Sequence, residues 1–258
     1  GVYSPPVDGV RTADMVCTEP QNVLSRGHRD IPEFWRPALT IKSAQRQTPK
    51  DMPEPFGIVH SCPGMDWRHT GLPTAEYEFW LSQIPAYGGQ IWHSITGIPD
   101  TITDKRILKT VSNFNAKVGK VMPYLDGAVS AAQVGLLWGN IESAQGWADG
   151  LINTQIPFDL VEPAQICLEQ LQEFQVLVIP DDLDLSLHTL EVIEEYVKGG
   201  GGLVVEGGRL AEHPEAYGLL GITAGSHYIS EDLLASYLRF EGEDNSLQRG
   251  GLENTELI

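Results

Sequence analysis

The chain has 258 residues, 41% of them hydrophobic, and a formal net charge of −18 at pH 7. Such a length suits one large domain or two modest ones with a real core, and no apolar run approaches the ~18 residues of a membrane span. The acidity argues against a nucleic-acid partner, whose phosphates need Lys and Arg; its plainest reading is solubility.

The charge is unevenly divided. Residues 1–127 carry 13 Asp and Glu against 13 Lys and Arg, whereas residues 128–258 carry 22 against 4. A domain boundary is therefore expected near Asp126-Gly127. The first half opens with a strand over residues 12–19, ending at Glu19-Pro20. A weak helix from Phe34 to about Gln47 follows, then a second strand over Phe56–Cys62 and a polar, aromatic loop over 63–71. A helix capped by Thr74 is expected over about 75–86, with Glu76 and Glu78 favourable in its first turn. Gly88-Gly89 leads into a third strand, Gln90–Ile95. The last helix of this half starts near Thr103 and carries Ile107, Val111, Phe114, Val118 and Val121 at helical spacing.

The second half reads more plainly. Ala132–Trp138, Gln175–Pro180 and Gly202–Glu206 are short, continuously apolar runs closed by turn signals, as in parallel strands covered on both faces. A weaker run, Pro157–Val161, lies between the first two. Between the last two, Ser186 is a plausible N-cap, Leu190, Ile193 and Val197 form a stripe widened by Tyr196, and Gly199–Gly202 end the helix. Strand and helix alternate, which predicts a doubly wound sheet: at least four parallel strands over 131–222, with helices on both faces.

Polar and aromatic residues gather at the carboxyl ends of the first-half strands: Glu19, His60, Asp66, Trp67, His69, Trp92 and His93. In a (β/α) barrel the active site is built at that end. Trp and His beside carboxylates suit carbohydrate chemistry, since sugar faces stack on aromatic rings while Asp or Glu acts as acid, base or nucleophile. Glu19 and Asp66 are the catalytic candidates; His60, Trp67, His69, Trp92 and His93 are the substrate-binding ones. Plainer alternatives stand beside each. Glu19 could make an ordinary loop hydrogen bond, Asp66 could belong to a salt-bridged loop, and His60, His93 and Trp92 could be packed or hydrogen-bonded core residues.

The strand and loop order around Ala13–Pro20, Phe56–Trp67 and Gly89–Gly97, followed by Asn115–Val118 and Pro123–Leu125, resembles the last three βα units of a glycoside hydrolase barrel. It is most similar to the beta-galactosidase family that carries a trimerisation domain. There the barrel is followed by a flavodoxin-like domain similar to class I glutamine amidotransferases. Val134–Trp138, Ile156–Asp159, Val176–Pro180, Gly200–Val205 and the terminal Gly251–Ile258 resemble that domain. The resemblance implies a fold of barrel end over 1–127 plus flavodoxin-like sheet over 128–258, a glycosidase activity on a carbohydrate substrate, and a dimer or trimer. A non-catalytic carbohydrate-binding or assembly protein of the same architecture is the alternative.

Two departures qualify the implied chemistry. A whole barrel takes about 250 residues, and about 127 precede the second domain, so the first five units and their acid/base carboxylate are expected to be missing. The family's nucleophilic Glu ends the seventh strand, where this chain has His60, with Asp66 on the loop beyond; Glu19 ends the sixth. The second half is expected to be non-catalytic, because Gly207-Gly208 stands where an amidotransferase needs its Cys, and Cys167 lies in a helix. Its glycines match no phosphate-binding pattern, so no cofactor is expected. Neither is a metal, for no HxH or HxxxH spacing occurs. Cys17, Cys62 and Cys167 are too far apart for a zinc motif and odd in number, so they read as ordinary buried thiols. Gly1–Pro6 is not a natural-looking start, so the lack of a signal peptide says little; a cytoplasmic location is the working expectation.

Overall fold

The computed structural model describes residues 14–20, 34–49, 51–64, 67–95, 97–139, 142–181, 183–206, 210 and 213–221. Asp66, Gly207-Gly208 and the Gly251–Ile258 stretch lie outside them. The chain alternates strands and helices: β1 (Cys17–Thr18), α1 (Arg36–Gln47), β2 (Phe56–His60), α2 (Thr74–Ala86), β3 (Gln90–Ser94), α3 (Arg106–Leu125), β4 (Val134–Leu137), α4 (Glu142–Asn153), β5 (Phe158–Val161), α5 (Leu168–Leu171), β6 (Val176–Ile179), α6 (Leu187–Lys198), β7 (Gly202–Val205) and α7 (Tyr217–Leu220). All strand pairs are parallel, in two sheets ordered β1-β2-β3 and β5-β4-β6-β7. The α/β class with two parallel sheets is the one the sequence predicts.

In the first sheet, Gly57↔Ile91 and Val59↔His93 are register partners, and alternation aims them at the helices. Val59 is fully buried with Ile41 of α1, Tyr77, Trp80, Leu81 and Ile84 of α2, and Ile107 and Phe114 of α3. Gly57 is where α2 comes nearest, since a Cβ there would lie 2.5 Å from Ile84 Cδ1. The helix stripe on α3 is real but graded: Ile107 and Phe114 are buried, while Val121 is 46% exposed. Thr74 is not the cap of α2. Pro73 holds that position with no side-chain bond, and the Thr74 hydroxyl lies 3.1 Å from that of Thr110 on α3. β1 is also shorter than expected, two residues long.

The second sheet is covered on both faces. Leu136, Leu160, Val178 and Trp138 meet Ala144, Ala148 and Leu151 of α4; Leu137, Leu177, Ile179 and Val161 meet Leu171 of α5 and Leu190, Ile193 and Tyr196 of α6. Ser186 caps α6, accepting a hydrogen bond from the Thr189 N–H at 3.1 Å. Leu39 of α1, a first-half helix, is buried in the same cluster as Leu136 and Trp138, so α1 shares the α4 side of this sheet. The thiols correct the sequence reading. Cys62 is buried, but Cys17 and Cys167 are exposed, and all three are free. Cys17 faces away from the helices on β1, and Cys167 precedes the first turn of α5 rather than lying within a helix.

Candidate functional site

The strand register decides which side chains share a face. Cys17 pairs with Phe56, Ile58 with Trp92 and His60 with Ser94. Alternate residues point to one side of a strand, so these all lie on the sheet face turned away from the helices. Glu19, two residues past Cys17, continues that row. Its carboxylate Oε1 lies 3.8 Å from His60 Nε2, within ion-pair reach but longer than a hydrogen bond. The Glu19 side chain is 58% exposed and that of His60 13%. Trp92, 49% exposed, lies on the same face.

The loops after β2 and β3 border this end of the sheet. Trp67, 66% exposed, opens a turn closed by the Thr70 N–H, which donates to the Trp67 carbonyl at 2.9 Å. His69 is also exposed, and its Nδ1 lies 4.0 Å from where a Cβ on Gly97 would sit, so the two loops abut. Gly97 has φ +120, open to glycine and rarely to others. The loops are pinned by Asp104, which accepts from the Gly71 N–H at 3.2 Å and pairs with Arg106. That guanidinium's hydrogen bonds hold the Asp104 carboxyl well below the usual carboxylate range.

His93 is placed apart from the others. On the helix side of the sheet, its Nε2 lies 3.0 Å from Asn115 Oδ1 on α3 and its Nδ1 lies 3.4 Å from the Tyr77 hydroxyl. That hydroxyl donates to the Val59 carbonyl. Burial, and then the neighbouring Cys62, pushes the Tyr77 phenol far above its ordinary value. Asn115, His93 and Tyr77 thus form a polar chain between α3, β3 and α2, set behind the face that carries Glu19. The structure brings Glu19, His60 and Trp92 onto one face, sets Trp67 and His69 on the bordering loops, and turns His93 to the other side. Among the described residues, no group of three or more His, Cys, Asp or Glu could hold a metal ion.

Sequence reasoning missed a second polar centre. Asp159, in the middle of β5 and 5% exposed, accepts from Lys42 Nζ at 3.1 Å and Arg46 Nη2 at 2.8 Å, both on α1. One residue along the same helix, Ser43 and Gln47 donate to Glu162 Oε1, each at 3.3 Å. A signal was present: a single Asp inside the apolar run Phe158-Asp159-Leu160-Val161 requires a partner if the strand is buried.

No protein-family model and no curated protein matches the sequence. Among solved structures, the chain is similar to alpha-L-fucosidase isoenzyme 2 from Paenibacillus thiaminolyticus, at 18% identity and a TM-score of 0.57. The match covers 78% of this chain and 31% of the fucosidase. The likeness is one of fold. The chain thus shares its α/β architecture with about a third of a glycoside hydrolase. Nothing in the match bears on the trimerisation domain or the amidotransferase likeness.

Proposed function

We propose that the chain belongs to a glycoside hydrolase and that the open face of the first sheet is its sugar site. What carries the reading is the sheet face that joins Glu19 and His60, at the carboxyl ends of β1 and β2, to Trp92 in the middle of β3; the carboxyl end of such strands is where barrel enzymes assemble their chemistry. Trp92 is the stacking platform, Trp67 and His69 close the rim, and Glu19, steadied by His60, serves as the acid, base or nucleophile. Asp66, which precedes Trp67 in the sequence, is the second carboxylate the reaction needs. The substrate is a carbohydrate, and no cofactor takes part. The protein works as a dimer or trimer through residues 1–127, with the second sheet as packing and assembly domain, in the manner of the beta-galactosidase trimerisation domain. Residues 1–127 and 128–258 are the two domains in this reading.

A second reading, a non-catalytic sugar-binding protein, draws on Trp67 and Trp92, whose exposed rings suffice for binding without a carboxylate pair. Assay of the full-length protein on a panel of aryl glycosides separates the two. Turnover that falls by about 10³-fold or more in Glu19→Gln or Asp66→Asn supports the enzyme. Retained sugar binding with no wild-type turnover supports the second reading, and neither binding nor turnover contradicts both.

A further inference from the structure

We infer that Ser94 is a further substrate contact, a side chain that reads one ring hydroxyl of the sugar and so selects glycosides in which that position is free. The inference rests on the sugar-site reading and adds to it a residue that sets specificity. Ser94 is the last residue of β3 and the register partner of His60 on β2. Alternation carries it to the face that holds Trp92, which lies two residues, about 6.6 Å, back along the same strand, and neighbouring strands are about 4.8 Å apart. A pyranose resting on Trp92 thus presents its edge to Ser94 on one side and to the Glu19–His60 pair on the other.

What sets Ser94 apart is an uncommitted hydroxyl on a fixed backbone. Its carbonyl accepts from the Ser61 N–H at 2.9 Å, so the β2–β3 ladder runs on past it and holds its Cα in place. Hydroxyls on the helices of this half are bonded to their own backbone: Thr40, Ser82 and Thr110 donate to the carbonyls of Arg36, Phe79 and Arg106 at 2.8, 2.9 and 2.9 Å. An extended strand offers no carbonyl one turn back for such a bond. Ser94 Oγ accordingly makes no hydrogen bond with the described residues. Thr18 Oγ1, on the helix side of β1, is sealed in without a partner, whereas Ser94 is half-buried and its oxygen is not sealed. A serine hydroxyl both donates and accepts, as a sugar hydroxyl does, and a group held on a strand is placed more precisely than one on a loop. Once the ring covers the site, a substrate lacking the matching hydroxyl leaves the serine without a bond, and that difference is what discriminates.

The test compares wild type, Ser94→Ala and Ser94→Thr in the full-length protein, on the aryl glycoside that the wild type turns over fastest and on its monodeoxy analogues. The readout is kcat/KM, replaced by a calorimetric Kd where the wild type binds sugar without turnover. Ser94→Ala should lose about 3–10-fold on the parent glycoside, the scale of one neutral hydrogen bond, and nothing on the one analogue that lacks the contacted hydroxyl. Ser94→Thr keeps a hydroxyl and should recover most of the loss. The melting temperature of Ser94→Ala should match the wild type, because the fold makes no use of this hydroxyl. Undiminished activity in Ser94→Ala, or an equal loss on every analogue, overturns the Ser94 assignment and leaves the sugar site standing. A wild type that neither binds nor turns over any glycoside removes the sugar site, and this inference with it.

Discussion

At the scale of single residues, buried Asp159 and partly buried Glu162 are carboxylates held by adjacent residue pairs of α1 with opposite electrostatics. Burial raises the Asp159 carboxyl, but Lys42 and Arg46, with the Leu160 N–H, outweigh it and hold it below the ordinary range. Its stabilisation is therefore complete above the ordinary carboxylate value and is lost as pH falls through the depressed folded one. Glu162 has no cation; burial pushes its carboxyl up against the lowering effect of the Gln47 and Ser43 hydrogen bonds. Its contribution is present below the ordinary glutamate value and is lost as pH rises through the raised one. Asp159→Asn should cost about 2–4 kcal/mol at pH 7, because two half-buried cations lose their counterion, a loss that urea unfolding measures. Glu162→Gln should raise the melting temperature near pH 7 and leave it unchanged in mild acid. A rise of equal size at both pH values would mean that charge burial is not the cause.

At the scale of elements, the joint between the halves is α1, a helix too weakly patterned in the sequence to suggest its role. Leu39→Ala should destabilise the second-half core by about 2–5 kcal/mol although it lies in the first half. Hydrogen exchange of β4 and β5 would register the loss. Close approach sets a second test. A Cβ on Gly135 would lie 2.8 Å from Phe174 Cδ2, with two more ring atoms within 3.2 Å, so Gly135→Ala should cost about 1–3 kcal/mol by overpacking. β4, β6 and β7 were legible because each is an uninterrupted apolar run, as strands covered on both faces are, whereas Asp159 interrupts β5 and made its run the weaker one. The Ser186 cap was legible because its chemistry is local. Thr74 misled because its hydroxyl meets Thr110 on a distant helix, and the α1–β5 ion pairs were illegible because Lys42 and Asp159 are brought together by tertiary docking alone.

At the scale of the molecule, β1 and β3 each pair with β2 alone among the described residues, and the face carrying Trp92 is open. Open strand edges invite pairing with another chain, so association through residues 1–127 is expected. Sedimentation of the 258-residue chain at micromolar concentration should give a dimer or trimer; a stable monomer would contradict the assembly. The site residues were only partly legible for a related reason. The strand ends located Glu19, His60 and Trp92 by position alone, but the parity that turns His93 to the helices depends on register, which the sequence does not state. The most direct measurement is the crystal structure of the protein with a bound iminosugar. The ring should stack on Trp92 with its ammonium within hydrogen-bond distance of Glu19; a ring bound elsewhere, with the first-sheet face empty, would contradict the sugar site.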